Sequence, residues 1–432
     1  MRKFAAVIFA CLAFSFMLAG CTMLDMGILT LSGKKDEGSP ESVLQPVSFN
    51  VNIPGSGAND EKYGKIKDPD GNGQAPSDTI PADVIVLSGN SYVSAKPVPE
   101  YFFDESKFSY HRLGEHEQKV YTEIYDILLN RDGERVLSSL DVDEIDKCFN
   151  CVMTDNPDFY YTDGYRMTKT TVDDKLKSIS FDPRYTMTAS EILSMEDKID
   201  DYVNQFIDSM PDFNDEYSKA KYIFDYLVDH TEYETTAENS QNICSVFANG
   251  KSVCQGYSMA AKYLCDEAGV LCTVVYGEAS GQDHAWNMMR LDGTYCHVDV
   301  TWGDTSFKNS MQNTNEAMTD YVFFGANDAI ISTSHRMDHI VQLPACTSLS
   351  SYYFVKEGRY FTKPDAGMLD DLFDEAYESE DRLLTIRCAD GSVYDEFNEY
   401  LFDKGNIFEF IRGAANARYV RNREELTITF VL

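Results

Sequence analysis

Apolar residues near the middle of the chain recur at the spacing of a helix with one buried face. They stand at Tyr257, Ala260, Ala261, Leu264 and Ala268. Gly269 follows, and glycine ends helices because it adopts the left-handed conformation without steric cost. The pattern therefore predicts a helix that begins at or just after Cys254. Unpaired backbone N–H groups and the positive end of the helix dipole favour a thiolate at that position.

A second pattern predicts a β-hairpin downstream of this helix. The turn signal Asp292-Gly293 separates two alternating runs, "DHAWNMMRL" and "TYCHVDVTW". Continuing the alternation through a two-residue turn makes Trp286 face Asp299 and puts His284 on the same side of the sheet. His284 and Asp299 then lie diagonal to each other, about 7–8 Å apart between backbone positions. An imidazole and a carboxylate can meet across that separation.

The hydrophobic and polar patterns divide the chain beyond residue 20 into four segments. Residues 99–212 mix helical spacing with strand-like alternation, which predicts an N-terminal α+β scaffold region. The helix and the hairpin fall within residues 213–345, and residues 346–432 predict a small C-terminal domain of α/β or α+β type. Gly, Ser, Pro and Asp dominate residues 21–98, which predicts a flexible tether. The predicted fold class is α+β.

The N-terminus has the pattern of an export signal. Arg2 and Lys3 precede the apolar run "FAAVIFACLAFSFML", which is shorter than the roughly 20 residues of a membrane-spanning helix. The run ends in "LAGC", which resembles the lipobox of a bacterial lipoprotein. The resemblance implies that residues 1–20 are a signal peptide and that lipid on Cys21 anchors the protein to the cell membrane, outside the cytoplasm. An ordinary secretory signal is the alternative.

The charge of the chain excludes one class of partner. The sequence carries 71 acidic and 37 basic residues, for a net charge of −34. No long basic cluster interrupts this acidity, so we expect no nucleic-acid partner.

The cysteines show no disulfide framework. Eleven are present, and nine remain once Cys11 and Cys21 of the export signal are set aside, so at least one thiol is unpaired. Cys148 and Cys151 form a C-x-x-C pair in a predicted helix, without a second pair to complete a zinc site. Ordinary packing, redox chemistry and metal binding are the alternatives for this pair.

Signals for a metal ion or a cofactor are incomplete. The run "DPDGNG" at residues 68–73 copies the first half of a calcium loop, but the twelfth position of that loop is Thr79 rather than Glu. His335 and His339 would form a metal pair on a helix, but no third ligand is in register. No organic cofactor motif is visible. We therefore expect neither a metal site nor a cofactor.

Cys254, His284 and Asp299 together have the composition of a nucleophilic catalytic site. The cysteine supplies the nucleophile, the histidine shares its proton, and the aspartate fixes the tautomer of the histidine and stabilises the imidazolium. Such pairing lowers a cysteine pKa from about 8.5 into the range of about 3.5–7.5. The thiolate then attacks a carbonyl carbon and forms a thioester. His297 is a rival base because it shares the face of Asp299.

Three ordered motifs resemble the transglutaminase-like superfamily, in its bacterial cell-surface branch. They are "YLVDHTEYE", "SVCQGYSMAAKYLCDEAGV" and "DHAWNMMRLDGTYCHVDVTWGD", and the resemblance is dense over residues 215–305. It implies a papain-like fold, in which a helix carrying the cysteine packs on an antiparallel sheet. The nucleophile, histidine and aspartate of the family fall on Cys254, His284 and Asp299. One departure is Gly303, which stands where similar proteins have an acidic residue.

The resemblance implies an enzyme that resolves a thioester. Water as the acceptor makes the protein a cysteine peptidase or amidase, which is the expectation, whereas a lysine amine makes it a crosslinking transglutaminase. A non-enzymatic surface module that binds peptide or glycan is the third alternative. The expected partner is a protein or peptide substrate, with cell-wall peptide as one candidate. Trp286, Trp302 and Gln255 are candidates for the substrate cleft, and Gln255 or Asn249 for a second oxyanion donor.

Overall fold

The computed structural model describes the chain in five stretches, which are residues 83–86, 95–304, 319–379, 382–412 and 418–432. The predicted signal peptide, Cys21 and most of the predicted tether lie outside these residues. The described residues fall into two compact units, one that ends at Thr347 and one that spans Ser348–Leu432. Within them, no helix is both long enough and apolar enough to cross a membrane.

The first part of the larger unit combines a four-stranded sheet with helices. The strands are β1 (Asp83–Val86), β2 (Arg135–Val136), β3 (Thr162–Val172) and β4 (Lys175–Tyr185). Their order is β1-β3-β4-β2, with β1 parallel to β3 and the other pairs antiparallel. The helices are α1 (Glu115–Leu129), α2 (Val142–Asp155) and α3 (Ala189–Ser209). Helices and strands mix here as the sequence predicts.

Strand β1 corrects one prediction, because it lies inside the segment interpreted as a flexible tether. Its sequence is "DVIV", and its four residues pair with residues 168–171 of β3. Valine and isoleucine favour extended backbone because their branched side chains fit a pleated surface. A short β-branched run was overlooked among the surrounding Gly, Pro and Asp residues.

A five-stranded antiparallel sheet and the helices around it carry the predicted constellation. The strands are β7 (Cys272–Ala279), β8 (Gln282–Leu291), β9 (Thr294–Val298), β10 (Phe324–Ala326) and β11 (His335–Asp338). Their order is β10-β9-β8-β7-β11, with every neighbouring pair antiparallel.

The helices of this part are α4 (Glu216–His230), α5 (Ile243–Asn249), α6 (Cys254–Ala268), α7 (Val300–Gly303) and α8 (Asp328–Ile331). A short parallel pair, β5 (Glu232–Tyr233) and β6 (Lys251–Ser252), precedes α6.

Helix α6 follows the predicted pattern and packs on β7 and β8. It begins at Cys254 and ends at Gly269, whose backbone is left-handed with a φ of 71°. The central residues of the predicted apolar face are fully buried, namely Tyr257, Ala260, Ala261 and Leu264. Burial of this face against the sheet stabilises the helix and fixes the position of its first residue.

The hairpin of β8 and β9 has the predicted register only in part. The turn falls at residues 292–293, and the ladder keeps the predicted register from there to Asn287. The predicted pairing of Trp286 with Asp299 is wrong, because the strand ends before Asp299. The Asp299 carboxylate instead caps α7 by accepting the Trp302 N–H at 3.1 Å.

The smaller unit, Ser348–Leu432, also mixes helices and strands. Its strands are β12 (Tyr360–Phe361), β13 (Leu383–Cys388), β14 (Arg418–Asn422) and β15 (Thr427–Val431), in the order β12-β13-β15-β14. Its helices are α9 (Tyr353–Lys356), α10 (Ala366–Glu378), α11 (Gly391–Asn398) and α12 (Ile407–Phe410). The cysteine helix packed on an antiparallel sheet in the larger unit, together with this mixed unit, confirms the predicted α+β class.

Replacing Gly256 with alanine is expected to lower the free energy of unfolding by about 1–3 kcal/mol. Gly256 lies in the first turn of α6, where a Cβ would stand 1.9 Å from the Ser252 Oγ and 2.7 Å from the Ser240 carbonyl oxygen. Equilibrium unfolding in urea measures the loss. Gly133→Ala is the matched control, because nothing lies within 4 Å of a Cβ at that position. Equal effects of the two substitutions would contradict this account of the helix start.

Candidate active site

Cys254 is the first residue of α6 and differs from the other cysteines in its exposure. Among the nine cysteines that the structure describes, Cys254 alone is not buried. The first N–H groups of a helix have no partner inside the helix, so donors and the positive end of the dipole surround this thiol. The Ser258 hydroxyl donates to the Cys254 carbonyl oxygen at 2.8 Å, which ties the next turn of the helix to it.

His284 connects the thiol to a carboxylate. It lies on β8 opposite Gly277 of β7, and its side chain is 8% exposed. Its Nε2 is 2.7 Å from the Asp299 Oδ2, and the Cys254 thiol is close enough to help raise the pKa of the His284 ring. Because Nε2 is engaged by Asp299, Nδ1 is the nitrogen left to face the sulfur. The three predicted residues thus lie together, with His284 hydrogen-bonded to Asp299 and next to Cys254.

Asp299 is buried and is held by three donors. Its Oδ1 accepts the Trp302 N–H at 3.1 Å, and its Oδ2 lies 2.7 Å from the His284 Nε2 and 3.0 Å from the His335 Nε2. A buried carboxylate is stable only when its charge is paired and its oxygens are hydrogen-bonded. This carboxylate meets both conditions.

The electrostatics of the site favour a charged histidine. Burial opposes protonation of His284, but the Asp299 charge and the hydrogen bonds to Asp299 and Cys254 outweigh it and raise its pKa to about 10. Burial acts to raise the pKa of Asp299, yet the His284 charge and the bonds from both histidines hold it well below its usual range. Burial, followed by the charges of Cys254 and Asp299, raises the pKa of Tyr233. Imidazolium and carboxylate are therefore the stable pair at neutral pH.

The three cleft candidates have different positions. Trp286 is fully buried and donates its indole N–H to the His297 Nδ1 at 3.2 Å, so its predicted place in a cleft is wrong. Trp302 stays partly exposed, with its ring 6.3 Å from the His284 ring. Gln255 is buried, and its Nε2 finds no hydrogen-bond partner among the described residues. Trp302 and Gln255 thus remain candidates beside the thiol.

His297, the rival base, is engaged elsewhere. Its Nε2 lies 3.0 Å from the Asp328 Oδ1, and its Nδ1 accepts the Trp286 N–H. Burial lowers its pKa despite the Asp328 carboxylate. Both nitrogens serve packing of the sheet, so neither is available to Cys254.

Sequence reasoning missed the contact between His335 and Asp299. The metal pair considered for His335 and His339 requires a helix, but His335 begins the extended strand β11. Its ring lies at the centre of an aromatic group and its Nε2 reaches Asp299. Strand β11 neighbours β7 at one edge of the sheet, so nothing in the local sequence pattern indicates this contact.

Two groups of described residues have ligand atoms close enough for a metal ion, namely His284, Asp299 and His335, and His297, Asp328 and Cys346. In the second group, the Trp286 N–H donates to the His297 Nδ1, which places the ring proton on Nε2 and occupies the lone pair that a metal needs. The first group is already joined by hydrogen bonds and belongs to the site described above.

The structure also accounts for two sequence features outside the triad. Cys148 and Cys151 are both buried in α2, and burial raises the pKa of both thiols, which favours ordinary packing. Gly303, the departure from the family pattern, faces the Phe224 ring, and a Cβ would stand 2.2 Å from that ring. The acidic residue follows one position later as Asp304, which is buried.

Comparisons with known proteins point to one superfamily. Residues 205–300 match the model of the transglutaminase-like superfamily. Kyphoscoliosis peptidase of Homo sapiens is 27% identical over 149 residues, which cover 30% of this chain and 22% of that protein. The Mus musculus protein of the same name is 27% identical over 113 residues, or 22% of this chain and 17% of that protein. The chain spans about a fifth of the length of these relatives.

Two solved structures are also similar. A crystal structure of a TGase has a TM-score of 0.24 and 16% identity, covering 36% of this chain and 47% of that chain. A candidate cysteine protease from Cytophaga hutchinsonii has a TM-score of 0.21 and 13% identity, covering 32% of this chain and 62% of that chain. Scores this low carry no argument about function.

The pKa shift of His284 predicts how stability depends on pH. Its pKa in the folded chain is about 10, above the ordinary value of about 6.5, so its contribution is complete below about pH 6.5 and disappears as the pH rises towards 10. The difference in unfolding free energy between the natural chain and His284→Gln should therefore shrink between pH 6 and pH 10. Urea unfolding at several pH values measures it.

The control for this measurement is His230→Gln. His230 is exposed, and its ring nitrogen contacts only the Tyr226 carbonyl among the hydrogen bonds found for it in the described chain. A difference in unfolding free energy for His284→Gln that varies with pH no more than the difference for His230→Gln would contradict the ion pair with Asp299.

Proposed function

We propose that this protein is a cysteine-dependent amide or peptide hydrolase of the transglutaminase-like superfamily, whose model matches residues 205–300. The observation that carries the proposal is the grouping of Cys254 with His284, whose Nε2 is hydrogen-bonded to Asp299 at 2.7 Å. Its nucleophile is partly exposed at a helix start, whereas the carboxylate at its far end is buried. A nucleophile must be accessible to the substrate, whereas the carboxylate that orients the base can be buried behind it.

In the proposed reaction, Cys254 and His284 begin as thiolate and imidazolium. The sulfur attacks the carbonyl carbon of an amide, a C–S bond forms, and the carbonyl oxygen takes the negative charge. When the carbonyl re-forms, the C–N bond breaks and His284 gives its proton to the departing nitrogen. The products of this half-reaction are a thioester on Cys254 and a free amine.

Water completes the cycle. His284 takes a proton from a water molecule as the water oxygen attacks the thioester carbon. The C–S bond then breaks, which releases a carboxylic acid and restores the thiolate and the imidazolium. Asp299 remains a carboxylate throughout, because its task is to hold the ring of His284 and to balance the imidazolium charge.

The oxyanion requires donors close to the sulfur. The Cys254 N–H is one candidate, because the first N–H groups of α6 have no partner inside the helix. The Gln255 Nε2 is the second, since this buried amide finds no other partner in the described chain. An oxyanion that forms there would satisfy a donor whose burial is otherwise costly.

The names of the relatives favour hydrolysis over crosslinking. Both curated relatives are called peptidases, and the triad can pass a thioester to water or to an amine with the same residues. The crosslinking reaction is therefore an alternative outcome of the same site, and a binding module without turnover is the other alternative. We propose a peptide or protein as the substrate, with cell-wall peptide as one candidate.

The location of the protein enters the proposal from the sequence alone. The export signal and the lipobox-like "LAGC" before residue 22 support a protein attached to the membrane through lipid on Cys21. Such a tether would present the candidate site to substrates outside the cytoplasm.

Alkylation by iodoacetamide should be fast at Cys254 and should depend on His284. At pH 6, His284→Ala is expected to slow labelling about tenfold or more, because the thiolate loses its cationic partner. Mass spectrometry of the labelled peptide from pH 4 to 9 measures the rate. His230→Ala is the control, since that histidine is exposed and lies outside the triad. Equal rates in all three proteins would mean that Cys254 and His284 are not paired.

An isotope experiment can identify whether water or an amine accepts the acyl group from the thioester. The substrates are a peptide library that includes cell-wall peptides, and a primary amine is present. In H2¹⁸O, hydrolysis is expected to place one ¹⁸O atom in the new carboxylate, and Cys254→Ala is expected to abolish the product while leaving the fold intact. An amide of the added amine without ¹⁸O would favour crosslinking instead. No product together with slow alkylation of Cys254 would support the binding module.

A further inference from the structure

His335 stands directly behind the candidate triad, at the edge of the sheet. It is 5% exposed and begins β11, which pairs with β7 from Ala279 to Tyr276. The Ser280 N–H also donates to the Ser334 carbonyl oxygen at 2.9 Å, which fixes the backbone just before His335. His335 therefore has a defined position without being part of the triad.

The close approach of β11 depends on Gly277. A Cβ at this position would stand 2.0 Å from the Arg336 carbonyl oxygen and 3.1 Å from the Trp286 ring. Gly277 also lies opposite His284 in the β7–β8 ladder. The same glycine thus leaves room for β11 and leaves the face beside His284 clear.

The hydrogen bonds of His335 define its protonation. Its Nε2 is 3.0 Å from the Asp299 Oδ2, and its Nδ1 is 2.8 Å from the Ser334 Oγ. A carboxylate only accepts, so Nε2 carries a proton, while the Ser334 hydroxyl can donate to Nδ1. Two imidazoles therefore donate to one oxygen of Asp299.

We propose that His335 is a positioning residue that shares Asp299 Oδ2 with His284 and thereby limits how tightly Asp299 holds the proton of the imidazolium. The proposal rests on the proposed function, in which His284 must give that proton to a departing nitrogen. An oxygen that accepts a second hydrogen bond has less negative charge to offer the first donor. The same bond also keeps the carboxylate from rotating away from His284.

His335 lies outside residues 205–300, the part of the chain that matches the superfamily model. Its role is therefore argued from this structure alone.

The charged and titratable groups around His284 come from several elements. They are Cys254 of α6, Asp299 before α7, His335 of β11, Tyr233 of β5 and Tyr276 of β7. The charge of Cys254 affects the pKa of both tyrosines, and the charge of Asp299 also affects the pKa of Tyr233. Burial raises the pKa of both, to about 12 for Tyr276, so they are uncharged at neutral pH. The charge on His284 is therefore set by Cys254 and by how Asp299 is shared.

A purely structural role is the competing explanation. The His335 ring lies 4.8 Å from the Trp302 ring, 4.9 Å from the Phe323 ring and 5.0 Å from the Trp286 ring. If His335 served packing alone, its ring would be required, and its hydrogen bond to Asp299 would have no effect on His284. Two substitutions separate these roles, because His335→Phe keeps a ring without a donor, whereas His335→Gln keeps a donor without a ring.

The test is the pKa of His284, measured by NMR in the full chain with ¹³C-labelled histidine. The Cys254→Ala background removes the thiol next to His284, so that the effect of His335 is measured without it. His335→Phe is expected to raise the pKa of His284 by about one unit, which corresponds to the loss of one hydrogen bond to a charged group. His335→Gln is expected to change the pKa of His284 by less than about a third of that amount. An unchanged or lowered pKa in His335→Phe, or equal shifts in both variants, would overturn the proposal.

A second measurement needs no substitution at His335. Labelling with ¹⁵N reports which ring nitrogen carries a proton, and a proton on the His335 Nε2 is expected, because this nitrogen donates to Asp299. Protonation on Nδ1 alone would exclude donation to Asp299 and overturn the proposal, even if His335→Phe fails to fold.

These readouts do not require turnover. Slow alkylation of Cys254 in the natural chain would count against the proposed function, while the shift in the pKa of His284 would still decide the role of His335.

Discussion

The candidate site depends on keeping one carboxylate charged in the interior of the protein. Asp299 is 1% exposed, and such burial is costly unless the charge is paired and hydrogen-bonded. Its three donors come from the backbone of α7, from His284 on β8 and from His335 on β11. The charge is thus stable only when all three elements are in place. Assembly of the site therefore requires that the sheet and α7 be folded.

The cysteine end of the site is held by close packing rather than by charge. At Gly256, α6 approaches the Ser252 side chain so closely that a Cβ would not fit. At Gly303, α7 approaches the Phe224 ring in the same way. The Tyr257 hydroxyl lies 2.9 Å from the Asp304 Oδ2, which joins the two helices. Because interiors are packed this tightly, small displacements at either glycine are costly. The thiol and the carboxylate are therefore held at a fixed separation, which His284 spans.

Local patterns were sufficient for the main elements of this site. The apolar spacing after Cys254 and the Asp292-Gly293 turn each depend on residues close in sequence, so the helix and the hairpin could be predicted. Extending β9 to Asp299 predicts that His284 and Asp299 meet across the hairpin. The contact exists, but through a carboxylate that caps α7. The strand at residues 83–86 likewise depends on a distant segment, because it pairs with residues 168–171 of β3.

Residue type, helix start and alternation are properties of short segments, so the residues that can do chemistry are identifiable from the amino-acid sequence. It determined the α+β class and brought forward Cys254, His284 and Asp299 as a group. Only the tertiary structure decided that Trp286 is buried and that His335 shares the Asp299 oxygen. The contact of His335 with Asp299 depends on which edge of the sheet β11 joins. The burial of Trp286 depends on how both faces of the sheet are covered. Contacts between segments far apart in sequence leave no periodic signal in either one.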